Sequence, residues 1–329
     1  MVSGTLPIRQ AHCPWQALRR FACAATLGTT TVTLYRKGLE NTAQVVDREG
    51  AKGADLTLLT ETWLGESVLT RLDDPALATM AALAKKHRMY LVSPIHRRDG
   101  DKVYNSALLF DREGKLAGMY NKVYPVMPFP PGLGGEFKGV DLIPGDDAVV
   151  FETDFGRIGM AICFDAQFPE VWQRLEDQGA KLVLFSSAYS AGRSLDAYAT
   201  LHHYYIVSSI WTGECQAFDM TGERLLDESK GVSRITLDFG RRIFHNDVAA
   251  RYNAYYYPRY EKLRKENPGI VVDKRCDRED WHVLRPTQPG VDVSALAKKY
   301  GVPELPEFIN DQRRRADDVR GSHFKPARP

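Results

Sequence analysis

The sequence predicts an α/β fold in which mixed sheets carry helices on their outer faces. Apolar runs of strand length, rich in β-branched residues, alternate with segments of helical period. Several neighbouring strands are separated only by tight turns such as Asp99-Gly100 and Glu113-Gly114, a connection open to antiparallel strands but not to parallel ones. Of 329 residues, 43% are hydrophobic and 26% charged, an ordinary globular composition that excludes a disordered, collagen-like or coiled-coil chain.

Taken in order, residues 1–18 read as irregular. Arg19-Arg20 and the short apolar stretch Phe21–Gly28 have the outline of a targeting signal. The stretch ends in the polar run Thr29-Thr30-Thr31, however, so it reads as a buried first strand over 20–27 behind a loose leader, 1–19. Leu39, Thr42, Ala43, Val46 and Gly50 fall at helical spacing over 37–52. Asp55–Thr60 is the next strand. Asp74-Pro75 opens a helix, with Asp as cap and Pro in the first turn. Strands follow at 90–96, 103–110 and 115–120. Residues 124–147 hold five Pro and five Gly, an irregular excursion of a length that usually carries function.

Strands over 149–153 and 157–164 come next, then a helix from Pro169 to Gly179, a strand over 181–186, a helix over 195–205, and strands near 206–211, 215–219 and 232–238. Beyond residue 240 charge density rises and alternation fades. Residues 241–329 are expected to be a C-terminal extension of two or three helices without a core of its own, appended to a principal domain at 20–240. Phe244, Val248, Tyr252, Tyr255, Tyr256 and Tyr260 recur mostly at helical spacing. So apolar a stripe is expected to pack on the principal domain or on a second copy, making at least a homodimer. The basic run Arg313-Arg314-Arg315 is offset by Asp317 and Asp318, and Ser294–Glu304 reads as an amphipathic helix rather than a DNA-binding one.

The net charge is only +2, so neither nucleic acid nor an anionic membrane is expected as main partner. No apolar run reaches the ~18 residues of a membrane-spanning helix. The five cysteines, Cys13, Cys23, Cys163, Cys215 and Cys276, are scattered, with no Cys-x-x-Cys pair and no Cys/His cluster at zinc spacing. That reads as reduced thiols in the cytoplasm, with no metal and no cofactor.

Three residues close apolar strands: Glu61, Lys122 and Cys163. Each has an ordinary reading: a solvated carboxylate, a surface ammonium, a packed thiol. Cys163 also lies between a strand and a helix, where a nucleophile can be presented and backbone N–H groups can face an oxyanion. A thiol of ordinary pKa needs a base or a nearby positive charge to attack, and the segment holds no His.

The segments around these residues are Gly53-Ala-Asp-Leu-Thr-Leu-Leu-Thr-Glu61-Thr-Trp, Gly118-Met-Tyr-Asn-Lys122-Val-Tyr and Gly156-Arg-Ile-Gly-Met-Ala-Ile-Cys163-Phe-Asp-Ala-Gln-Phe-Pro-Glu170. In order and separation they resemble the nitrilase, or carbon–nitrogen hydrolase, superfamily over residues 20–240. Gly179–Ser187 and Phe218–Glu223 are similar as well. The resemblance implies a four-layer α-β-β-α sandwich and a Glu61–Lys122–Cys163 catalytic triad. It further implies a second glutamate, best matched by Glu136, and hydrolysis of a small amide or carbamoyl compound through a Cys163 thioester. The backbone N–H of Phe164 is then the oxyanion donor, and Trp63, Tyr189 and Arg193 are candidate substrate contacts. The chain departs from the superfamily in having Thr60 directly before Glu61, and Asp165, Ala166 and Gln167 where members that bind a substrate carboxylate place Arg. Cys163-Phe164-Asp165 is more similar to the amidase branches than to the nitrile-hydrolysing ones, which leaves a nitrilase as the alternative.

Overall fold

A computed structural model describes residues 29–34, 38–127, 141–276 and 280–324. In chain order the first elements are β1 (Thr29–Leu34), α1 (Leu39–Ala51), β2 (Leu56–Leu59), β3 (Val68–Leu69), α2 (Pro75–His87), β4 (Tyr90–Asp99), β5 (Lys102–Phe110) and β6 (Leu116–Asn121). Then come β7 (Val150–Thr153), β8 (Gly156–Ile162), α3 (Pro169–Asp177), β9 (Leu182–Ser187), α4 (Ser194–His202), β10 (Tyr205–Ile210), β11 (Glu214–Phe218), β12 (Arg224–Ser229) and β13 (Val232–Leu237). The last are β14 (Arg242–His245), α5 (Asn246–Ala249), α6 (Tyr257–Glu266), β15 (Ile270–Cys276), β16 (Trp281–Pro286), α7 (Val293–Tyr300) and α8 (Leu305–Arg320).

The strands form two large mixed sheets. The first runs β13-β1-β2-β4-β5-β6, with β3 on β4; the second runs β12-β11-β10-β9-β8-β7. Strand alternation divides their side chains between two faces. Leu56, Leu58, Val92, Ala107 and Leu109 of the first sheet share one core with Ile158, Met160, Leu184 and Val207 of the second. The opposite face of the first sheet buries Leu59, Leu91 and Leu108 with Val46 of α1 and Leu77 and Met80 of α2. The opposite face of the second buries Ala161, Val183 and Ile206 with Trp172 of α3 and Leu195 of α4. Three such cores are what a helix–sheet–sheet–helix stack requires. Gly118 allows one close approach between the sheets: a Cβ there would lie 2.2 Å from the Phe151 ring on β7.

Asp74 caps α2 as expected, accepting the Ala76 N–H at 2.8 Å. Other expectations need correction. The strand expected over 20–27 and the leader lie outside the described residues, and β1 begins inside the Thr run that seemed to end it. Threonine is a good strand former, and Thr31 and Val32 are fully buried between β2 and β13. β3 is two residues long and β12 is a mostly exposed edge, so neither carries the apolar signature that would reveal it. β8 stops at Ile162, and Cys163 begins a one-turn 3-10 helix, Cys163–Gln167.

The largest correction concerns the C-terminal segment. It is not helices alone: β14, β16 and β15 form a third, antiparallel sheet. Phe244, Val248, Tyr260, Leu263, Leu284, Ala297 and Phe308 bury into a core around it. The aromatic stripe is no continuous helix, because α5 ends at Ala249 and α6 starts again with Pro258 in its first turn. Phe244 and Tyr260 face this local core, while Tyr252 and Tyr255 are exposed. Arg241 joins the segment to the second sheet, pairing with Asp219 and Asp273, each at 2.9 Å.

Candidate active site

β2, β8, β9 and β10 run parallel within their sheets, and β6 runs in the direction of β2 and ends at the level of Ile95 on β4, near the end of β2. The residues just beyond these strand ends therefore converge at one rim, where ligands of α/β folds characteristically bind. Glu61, Lys122 and Cys163 all lie there. Glu61 and Lys122 are buried, and Lys122 Nζ donates to Glu61 Oε1 at 3.2 Å. Asn105 Nδ2 donates to the same oxygen at 2.8 Å, and the Ala188 N–H to Oε2, also at 2.8 Å. Lys122 is fixed from behind by its own N–H, which donates to the Asn105 carbonyl at 2.8 Å.

Cys163 is half-buried, and its thiol is pushed up to about 12, first by burial and then by the Glu61 charge. The Lys122 ammonium, the Ala188 N–H and the Ser187 hydroxyl oppose that shift. Burial and the neighbouring Glu61 charge thus both favour the protonated thiol. Its backbone is left-handed, with φ of 49°, and Thr62, directly after Glu61, has φ of 42°. A non-glycine residue so held costs on the order of 1–3 kcal/mol and persists only where its surroundings over-determine it.

Asp165 supplies much of that determination at Cys163. Fully buried, its carboxylate accepts the Ile162 N–H at 2.8 Å, the Tyr124 N–H at 2.9 Å and the Tyr120 hydroxyl at 2.7 Å. One side chain thus ties the Cys163 turn to the strand end that carries Lys122. Burial raises the Asp165 carboxyl to about 6, against the lowering effect of Lys122 and these donors. The Trp172 indole N–H and the Tyr198 hydroxyl hold the carbonyls of Asp165 and Ala166 at 3.1 and 3.0 Å.

The softer candidates divide. Tyr189 lies within electrostatic reach of the three groups: burial raises its phenol, and its hydroxyl accepts from Gln167 Nε2 at 2.9 Å. Phe164 is half-buried, edge-on to Phe168 at 5.4 Å, and Phe168 in turn stacks on Tyr124 at 3.6 Å. Trp63 is instead a core residue: 1% exposed, it packs under α1 and α2, and its indole N–H donates to Ser93 Oγ at 2.8 Å. Arg193 points to solvent, 94% exposed, with Asp196 3.9 Å away. Glu136 lies outside the described residues. Sequence reasoning did not single out Asn105, Asp165 as a structural knot, or Trp211, whose indole N–H donates to the Glu61 carbonyl at 2.5 Å. Only Asn105 left a signal, as a polar side chain inside the strand Lys102–Phe110.

Among the described residues, one group could hold a metal ion, His245, Asp247 and Asp280 in the C-terminal segment, and none of the three belongs to the Glu61–Lys122–Cys163 cluster. No helix among them is long and apolar enough to cross a membrane.

Residues 23–236 match the family described as carbon-nitrogen hydrolase. The chain belongs to the carbon-nitrogen hydrolase family. Among individual relatives, it is 28% identical over 123 residues to deaminated glutathione amidase of Yersinia enterocolitica, covering 36% of this chain and 43% of that one. It is 27% identical over 237 residues to N-carbamoylputrescine amidase of Solanum tuberosum, covering 67% and 75%. The chain spans less than half the length of several curated relatives it matches. Of solved structures, Saccharomyces cerevisiae Nit3, a member of the nitrilase superfamily, superposes with a TM-score of 0.57 at 18% identity, covering 74% of this chain and 96% of that one. The mixed α/β fold of this chain is thus shared with that structure.

Proposed function

We propose that this protein is a thiol hydrolase that cleaves a non-peptide carbon–nitrogen bond in a small linear amide or carbamoyl compound. The observation that carries the reading is the buried Glu61–Lys122 pair at 3.2 Å beside a Cys163 thiol held neutral. Cys163 Sγ attacks the carbonyl carbon as Glu61 takes the thiol proton. The Lys122 ammonium and the Phe164 N–H stabilise the oxyanion, a kind of contact whose loss typically costs ~2.7–4 kcal/mol of barrier. The carbon–nitrogen bond breaks as Glu61 returns its proton to the leaving ammonia or amine. Water, deprotonated by Glu61, then attacks the thioester, releasing the carboxylic acid and restoring the thiol. Glu136 orients Lys122 and the substrate nitrogen, and Tyr189 and Phe164 flank the substrate.

Relatives named as amidases favour an amide over a nitrile substrate, and ammonia release from paired amide and nitrile compounds separates the two. We further assign the protein to the cytoplasm and to a homodimer or larger homo-oligomer, which light scattering tests. The decisive experiment is intact-protein mass spectrometry during turnover of an amide library. An acyl adduct is expected on Cys163, and Cys163→Ala is expected to abolish turnover while leaving the fold intact. Near-normal activity in Cys163→Ala would overturn the mechanism.

A further inference from the structure

The Glu61 carboxylate is held through Lys122 and Asn105 of the first sheet, but the peptide that carries it is held from the second. The Trp211 indole N–H donates to the Glu61 carbonyl at 2.5 Å. The Trp211 backbone N–H donates to the Ser187 carbonyl at 3.0 Å. The next residue along, Ala188, donates its N–H to Glu61 Oε2 at 2.8 Å. These three bonds close a ring: Trp211, Ser187–Ala188 and both ends of Glu61. Three further contacts cross the same gap beside it. Ser186 Oγ donates to the Leu59 carbonyl at 2.9 Å, and Thr60 Oγ1 faces the Ser187 and Ser209 carbonyls at 3.4 and 3.3 Å. The strained Thr62, with φ of 42°, follows at once.

We propose that Trp211 is a positioning residue for the catalytic base, fixing the Glu61 main chain so that its carboxylate meets the Cys163 thiol. This inference rests on the reading of Glu61 as base. A carboxylate tied only through its own oxygens can still swing with its peptide. Tying the carbonyl and Oε2 to the same two strand ends removes that motion. The Glu61 peptide would otherwise relax out of the left-handed turn at Thr62. Trp63 provides the internal comparison: its indole bond to Ser93 is 2.8 Å long and fully buried, and it belongs to the helix-covered core.

The test replaces Trp211 by benzothienylalanine, which keeps the bicyclic shape and has sulfur in place of the N–H. Trp211→Phe is the genetically encoded second variant. Each is measured for kcat and KM on an amide that acylates Cys163, and for Cys163 alkylation by iodoacetamide, which needs no substrate. A displacement near 1 Å at a reacting group can cost about a hundredfold, so kcat is expected to fall about tenfold or more. KM and the unfolding midpoint of the isosteric variant are expected to stay close to the unsubstituted protein's, and alkylation to change by a similar factor to kcat. The same isostere at Trp63 is expected to leave kcat within about twofold. A Trp211 isostere with unchanged kcat and unchanged alkylation overturns the inference while leaving the hydrolase reading intact. Altered alkylation in a protein that never acylates Cys163 supports the positioning role and overturns the amide reading alone.

Discussion

At the rim of the two large sheets, the Lys122–Glu61 pair spans 3.2 Å with its side chains 1% and 3% exposed. On α8 the Arg314–Asp311 pair spans 2.5 Å with 72% and 23% exposed. The shorter pair is the weaker contributor. A solvated i,i+3 pair on a helix contributes little, because water competes and salt screens it. A buried pair has lost its water, so each partner depends on the other, and removing one leaves an uncompensated charge. The backbone differs in the same sense: left-handed Thr62 and Cys163 flank the site, each braced by neighbouring hydrogen bonds. The C-terminal sheet gains its order by burying Phe244, Tyr260 and Leu284 around its own core. A site made of charge and strain holds only if many bonds agree, whereas one made of apolar surface tolerates exchange of its exposed polar groups.

Lys122→Ala breaks this contrast most severely. It removes the positive charge that compensates the buried Glu61 carboxylate, leaving neutral donors such as Asn105 and the Ala188 N–H, and is expected to cost about 3–5 kcal/mol of stability together with all turnover. Lys122→Arg is expected to fail nearly as badly in catalysis, since the guanidinium fork is larger and differently shaped. Chemical denaturation and kcat on one amide check both. Trapping substrate on Lys122 with borohydride would contradict its role as a fixed charge.

Phe244→Ala tests the other region. It is expected to destabilise by about 3–5 kcal/mol through lost burial and a residual cavity. Its kcat is expected to stay within about twofold under folding conditions, because the site lies outside this core. Loss of kcat in fully folded protein would show that the two regions are coupled.

Glu61→Gln sharpens the electrostatic side. The Glu61 charge raises the Cys163 thiol and Lys122 lowers it. Removing the carboxylate therefore lowers the thiol from about 12 toward the ordinary thiol range, even as turnover is lost. Ultraviolet titration of the thiolate in the two proteins measures the shift, and an unchanged or raised value would refute the arrangement. The smallest effect is expected from Arg314→Ala, which should leave the thermal midpoint close to that of the unsubstituted protein in a melting experiment.

Much of this molecule was legible before any coordinates. Periodicity located α1, α2 and the strands from β4 to β6. Asp74-Pro75 marked a helix start, and Cys163, Glu61 and Lys122 stood out at strand ends. These are local signals: a turn, a cap or an alternating run is written within a dozen residues. β1 was displaced because a Thr run reads as polar although its backbone is well suited to a strand. The third sheet was missed because its strands carry charged residues such as Asp273, Lys274 and Arg275. Trp63 reads as a substrate contact and turns out to be core, whereas Trp211 carries no local signal of its bond to the Glu61 carbonyl.

Residue order alone determined the alternation of strands and helices and the chemical identity of the three groups, because backbone propensity and side-chain chemistry are properties of short segments. Only tertiary structure decided that Glu61, Lys122 and Cys163, which are 61 and 41 residues apart in sequence, share one rim. Only tertiary structure, too, raises the thiol by burial and brings Asp165, Asn105 and Trp211 into their hydrogen bonds with this rim. Those properties depend on which distant groups exclude water and lie within a few ångströms, and that is set by how two sheets register against each other.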